Sequence, residues 1–144
     1  MGRRREYISN LTMSRDTLYR VRRAQYEIRM QGFTNVSEGK LITALGAYST
    51  VLSLAFMLPT PVTLAAGVIS AISGAGNERA TIIAVCKNGE DYLQELLYFL
   101  DDHPQYDSIR ADLPFLEFID EKFRIVHGKG VLTAVHAKNG WISQ

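Results

Sequence analysis

The residues best suited to chemistry are His127, His136, the run Asp101-Asp102-His103 and the lone Cys86. A catalytic or structural metal asks for three or four such side chains converging on one point. His127 and His136 lie in a C-terminal segment of alternating apolar residues. If that segment folds back at Gly128-Lys129-Gly130, residue 127 faces 131 and residue 136 faces Lys122, so the imidazoles are not direct partners. No third ligand accompanies them, and they read as two partly exposed strand histidines. Asp101, Asp102 and His103 are consecutive, so on a helix they point in different directions. Pro104 marks them as a helix end. Cys86 follows the apolar run Ile82–Val85 and reads as a buried, inert thiol. A single cysteine makes neither an internal disulfide nor a thiolate zinc cluster. No phosphate loop, nucleophile elbow or paired-cysteine motif is present. The expectation is a protein that is not an enzyme, with no cofactor, no metal and no small-molecule substrate.

The elements around these groups are organised by one stretch. From Leu41 to Asn77 there is no formal charge. A single helix over that length would run about 54 Å, against a bilayer core of about 30 Å. Pro59 and Pro61 break it near the middle. Thr60 can cap a second helix with Pro61 at its first position. Two antiparallel helices, 41–58 and 61–74, are therefore expected. The second would reach only about 21 Å, a marginal span. Small residues recur at helical spacing, Ala66, Ser70 and Gly74 on one line and Gly67, Ala71 and Ala75 on another. Such a face lets a second helix approach closely, in a membrane or in a buried core. Gly46, Pro59, Pro61, Gly67, Ala71 and Gly74 are the positions expected to bind membrane or pack helices.

Charge is segregated around this stretch. The chain has 144 residues and a net charge of +1, and 47% of its residues are hydrophobic. Residues 1–40 are nevertheless basic and 78–126 acidic. Arg3-Arg4-Arg5 reads as a solvated, frayed terminus. Ser14 is a good cap for a helix reaching toward Gly32, with Leu18, Val21, Ala24 and Ile28 on one face. Arg15, Arg22 and Arg29 line up beside that face as a candidate contact for an anionic surface, such as a bilayer. No base-reading motif accompanies them, so nucleic acid is not expected. Ser37 can cap the first hairpin helix.

Downstream, a helix is expected from Glu78 and is expected to stop at Asn88-Gly89. A second covers 90–102, with Leu93, Leu96, Leu97 and Leu100 on one stripe. Asp112-Leu113-Pro114 reads as another helix start. From Lys122 the period changes to two, with turns at Gly128-Lys129-Gly130 and Asn139-Gly140.

The expected fold is mainly α (α+β), a helical bundle around a central apolar helical hairpin, with a small C-terminal antiparallel β-hairpin. Its segments would be a basic amphipathic helical arm (1–40), the hairpin (41–77), and acidic helices followed by the β-hairpin (78–144), in one compact domain. The expected function is a membrane-active, pore-forming or bacteriocin- or holin-like protein whose partner is a lipid bilayer. In architecture alone, and on no residue motif, this resembles the pore-forming colicins, whose helical bundle hides an apolar hairpin. The alternative is a structural or assembly protein, such as a phage or particle component, that uses the hairpin as core or subunit interface and self-associates as a homo-oligomer. The first reading implies a membrane-associated protein, or one secreted without a conventional signal peptide. The second implies a cytoplasmic one.

Overall fold

The computed structural model of the chain describes residues 2–144. Strand β1 (Arg4–Ser14) leads into helix α1 (Arg15–Glu27), which continues as a wider π-turn over Ile28–Thr34. Helices α2 (Glu38–Gly46), α3 (Leu52–Phe56), α4 (Pro61–Ser73) and α5 (Arg79–Asp102) follow. The chain closes with strands β2 (Ser108–Phe118), β3 (Phe123–Val126), β4 (Val131–Ala137) and β5 (Gly140–Ser143). The sheet is antiparallel, in the order β1-β2-β4-β5, with β3 also on β2.

This corrects the helical bundle expected from sequence. The fold is α+β, with five helices packed on a central five-stranded antiparallel sheet. Two segments account for the difference. Residues 4–14 form a strand that pairs with β2 along its whole length instead of a frayed arm. Its inward positions, Tyr7, Ser9, Leu11 and Met13, alternate with outward Glu6, Ile8, Asn10 and Thr12. A polar residue at Ser9 and an apolar one at Ile8 blur that alternation. Residues 108–118 are likewise a strand and not a helix start. Ile109, Ala111, Leu113 and Phe115 are fully buried on one face.

Pro114 misdirects the reading of β2, because a strand proline removes a ladder donor. The geometry confines the loss to a seam. On its second side β2 pairs with β4 through Asp112 and with β3 from Phe115 onward. Pro114 sits at that seam, and its carbonyl accepts from His127 N at 3.0 Å on the same side. Its nitrogen faces the His127 carbonyl just past the end of β3, so the proline forgoes only the last bond of that ladder. β3 and β4 lie end to end along β2, so the hairpin expected at Gly128–Gly130 does not form. The turn at Asn139-Gly140 does join β4 to β5 as expected.

The uncharged stretch supplies much of the core. Leu41, Leu45, Leu52, Phe56, Leu64 and Val68 are fully buried. The first expected hairpin helix is two, α2 and α3, bent by 90° at Tyr48. Among the described residues no single helix is long and apolar enough to cross a membrane. The caps are the expected ones. Ser14 Oγ accepts from Thr17 N, Ser37 Oγ from Lys40 N and Thr60 Oγ1 from Thr63 N. The expected stop at Asn88-Gly89 is absent, and α5 runs unbroken through both residues.

A buried polar knot ties α1, α5 and β3 together. Gln25 is fully buried. Its amide nitrogen donates to the carbonyls of Val126 (2.6 Å) and Cys86 (2.9 Å), and its oxygen accepts from Val126 N at 2.9 Å. One side chain thus ends the β3 ladder in place of another strand. Gln25→Leu is expected to strand these backbone groups and cost about 1–3 kcal/mol each at most, read by urea titration.

Candidate interaction surface

Strand β1 is the outer strand of the sheet, and its second edge pairs with no strand among the described residues. Which groups face outward follows from the register. Ile119 N donates to Arg3 O, and Arg15 N donates to Asp107 O, at the two ends of the β1–β2 ladder. Both belong to the same register, so odd residues of β1 spend their backbone groups on β2. The N–H and C=O groups of Glu6, Ile8, Asn10 and Thr12 therefore point away from the sheet. Over Tyr7–Met13 this edge carries no charge, no proline and no glycine, and the eleven-residue register has no bulge. Ile8, one residue before the midpoint of β1, is 71% exposed, the highest value among the exposed large hydrophobic residues.

Long-range contacts anchor the strand. At its start, Arg3 N and Nε donate to Asp120 at 2.8 and 3.0 Å, and Arg5 pairs with Glu117 at 3.0 Å. Arg4 pairs with Glu78 at the start of α5. At its centre, Tyr7 is held by Arg124, whose Nη1 donates to Tyr7 Oη at 3.0 Å. The same guanidinium donates to the carbonyls of Ala55 (3.0 Å) and Leu54 (2.9 Å) and lies 3.7 Å from the Phe115 ring centroid. It therefore caps the end of α3, where Met57 turns the chain at φ 77°. Met57 is exposed, with its sulfur 4.0 Å from Tyr7 Oη.

The Arg3 clamp gives a pH prediction. The backbone and side-chain hydrogen bonds from Arg3 hold the Asp120 carboxyl below its ordinary value of 3.8. A carboxyl whose pKa is lower in the folded protein contributes stability above the ordinary value and loses it as pH falls through the folded one. Parent and Asp120→Asn should therefore differ in melting temperature at pH 6, and the difference should shrink as pH falls below 3.8.

The three arginines read as an anionic-surface contact are placed as follows. Arg15 pairs with Asp101 and donates to Leu100 O at 2.6 Å, beside a cleft of about 370 Å³ that also holds Tyr19 and Gln94. Arg22 is half-buried, and its Nε has no hydrogen-bond partner among the described residues. Arg29 closes on Glu90 through two bonds, at 2.5 and 3.1 Å. Glu90 is 2% exposed, and burial pushes its carboxyl above the ordinary range even against the Arg29 charge. Burial likewise pushes the Cys86 thiol well up.

The small positions also part company. Gly67 meets Glu121 O and Phe123, at 3.1 and 3.3 Å from where its Cβ would be, so it packs on the β2–β3 turn and not on a helix. Ala71 is in the core, and Gly74 ends α4 at the surface. Gly46 is exposed at the end of α2, Pro59 is exposed, and Pro61 is the first residue of α4. The small residue that brings two helices together is Gly32, against Val68 of α4.

The histidines are dispersed. His127 lines a second cleft, of about 330 Å³, with Glu6 and Glu78. His136 Nδ1 lies 2.9 Å from Asp107, edge-on to Trp141, and His103 Nδ1 lies 2.7 Å from Phe99 O. Among the described residues no group of three histidine, cysteine or acidic side chains could hold a metal. The sequence reading missed β1 as a strand with an open edge. The signal available was the charge-free run Tyr7–Met13 directly after the arginines.

Comparison of the chain with protein-family models, with curated proteins and with solved structures finds no match.

Proposed function

We propose that this protein works by association, as an assembly or interaction module that accepts an added strand along the outer edge of β1. The observation that carries this reading is the open, uncharged edge of Tyr7–Met13, with its outward backbone groups and exposed Ile8. Edge strands are ordinarily blunted by lysine, proline, a bulge or a covering loop, because an open one recruits other chains. Main-chain hydrogen bonds supply affinity in strand addition, and alternate side chains supply selectivity.

A labelled, end-capped peptide with the sequence Arg4–Ser14 is the probe. At dilutions low enough to leave the β1 edge open, it is expected to bind the parent protein and to slow amide exchange at Glu6, Ile8, Asn10 and Thr12, leaving the odd positions unchanged. Ile8→Pro removes one outward N–H and spares the β2 ladder, so it should keep the parent's circular dichroism and lose the peptide. Ser9→Pro removes an inward ladder bond and should destabilise the fold by about 1–3 kcal/mol. Peptide binding that survives Ile8→Pro would remove the strand-addition reading.

A second reading, entry of the apolar stretch into a bilayer, draws on the bent pair Glu38–Gly46 and Ser49–Phe56, which together are long and apolar enough to reach across one. Insertion would have to pull Leu41, Leu45, Leu52 and Phe56 out of the core. Co-sedimentation with anionic lipid vesicles tests it, since binding that persists in 1 M salt would favour insertion over surface attraction.

A further inference from the structure

We infer that the strand added at β1 is the β1 of a second copy of this chain, antiparallel to the first, with Ile8 on the two-fold axis. The inference rests on the strand-addition reading above and names its partner.

Orientation follows from charge. Arg3, Arg4 and Arg5 are gathered at one end of the strand. Each is paired with an acidic side chain, Asp120, Glu78 or Glu117, yet a parallel partner would still crowd six guanidinium groups at one end, and like charges side by side are destabilising. An antiparallel partner sets Arg3, Arg4 and Arg5 opposite Met13, Thr12 and Leu11, and no like charges meet.

Register follows from the outward groups and from Ile8. Even residues must face even residues, because only they offer free backbone groups on this edge. Three two-fold registers put the axis at the middle of the strand. An axis at Ser9 sets Ile8 opposite Asn10, and an axis at Asn10 sets Ile8 opposite Thr12. Only an axis at Ile8 sets the two most exposed apolar side chains against each other, with Glu6 opposite Asn10. That pairing removes apolar surface from water on both copies.

The pairing closes on itself. At the far side of the sheet β5 is four residues long, and β3 ends on Gln25 and is buried between helices. One long edge per copy gives a two-fold dimer with a continuous sheet of both copies' strands, not an open fibre.

Light scattering at rising concentration, together with cysteine cross-linking, tests this. Cys86 is the only native cysteine and is buried, so an introduced thiol reports alone. The parent should be a dimer, and Ile8→Lys, altering only an exposed side chain, should be a monomer with unchanged circular dichroism. Under oxidised glutathione, Ile8→Cys should form a cross-linked dimer. Thr12→Cys should not, because its copies lie about 26 Å apart along the paired strands, beyond disulfide reach. A parent that is monomeric at every concentration overturns the inference, as does equal cross-linking at residues 8 and 12. A monomeric parent that still binds the Arg4–Ser14 peptide sinks the second-copy partner alone, whereas failure of both sinks strand addition too.

Discussion

Gly89→Ala is expected to destabilise the protein by about 3 kcal/mol or more, or to prevent folding. Alanine is the better helix former by about 1 kcal/mol, so on an open helix face the same change would stabilise. Gly89 lies in the middle of α5, not at a helix end. A Cβ there would overlap the carbonyl of Val126 and press on the Gln25 amide that bonds it. The obstacle is backbone, which cannot rotate away, and overpacking of this kind costs about 1–3 kcal/mol and occasionally more. Gly39→Ala in α2 is the control, since nothing lies within 4 Å of its Cβ position. Urea titrations should give opposite signs for the two variants. A neutral Gly89→Ala would mean that α5 does not seat against β3 as described.

Glu90→Ala is expected to cost about 3–5 kcal/mol, because it leaves the Arg29 guanidinium mostly buried without its counter-charge. The pair itself adds less than that figure implies. Burial raises the Glu90 carboxyl pKa, with Arg29 only partly opposing it. Replacing both partners by apolar residues of similar size is therefore expected to recover most of the loss. Arg29→Met with Glu90→Leu should melt close to the parent, while either single change melts well below it. The linkage sign agrees. A carboxyl whose pKa is raised on folding binds its proton more tightly in the folded state, so its ionisation above the ordinary value of 4.5 costs stability. A double variant as unstable as the singles would show that Arg29 is needed for something besides neutralising Glu90.

Local chemistry alone sets several features. Ser14, Ser37 and Thr60 start helices because each hydroxyl can reach an amide three residues on, whatever surrounds it. Asn139-Gly140 makes a hairpin for the same kind of reason, Gly140 accepting φ 113°. The uncharged stretch was bound to be buried, because its apolar side chains leave water wherever the fold allows. Whether lipid or protein covers it is not a local property.

Other features depend on contacts between distant segments. Residues 4–14 are a strand because β2, a hundred residues away, offers an unbroken antiparallel register, and a short polar-apolar alternation cannot announce a partner that distant. Pro114 sits in a strand because β3 and β4 leave a seam there, which depends on where two other strands end. Gly89 reads locally as a helix stop, and only the approach of Val126 makes it a contact point within a helix. Arg15, Arg22 and Arg29 share a spacing but not an environment. Arg29 is spent on a buried carboxylate of α5, and Arg15 on the far end of that helix. The open edge of β1 belongs to the same class. Backbone groups are identical in every residue, so no composition marks them as free, and only the register that occupies the odd positions leaves the even ones facing outward.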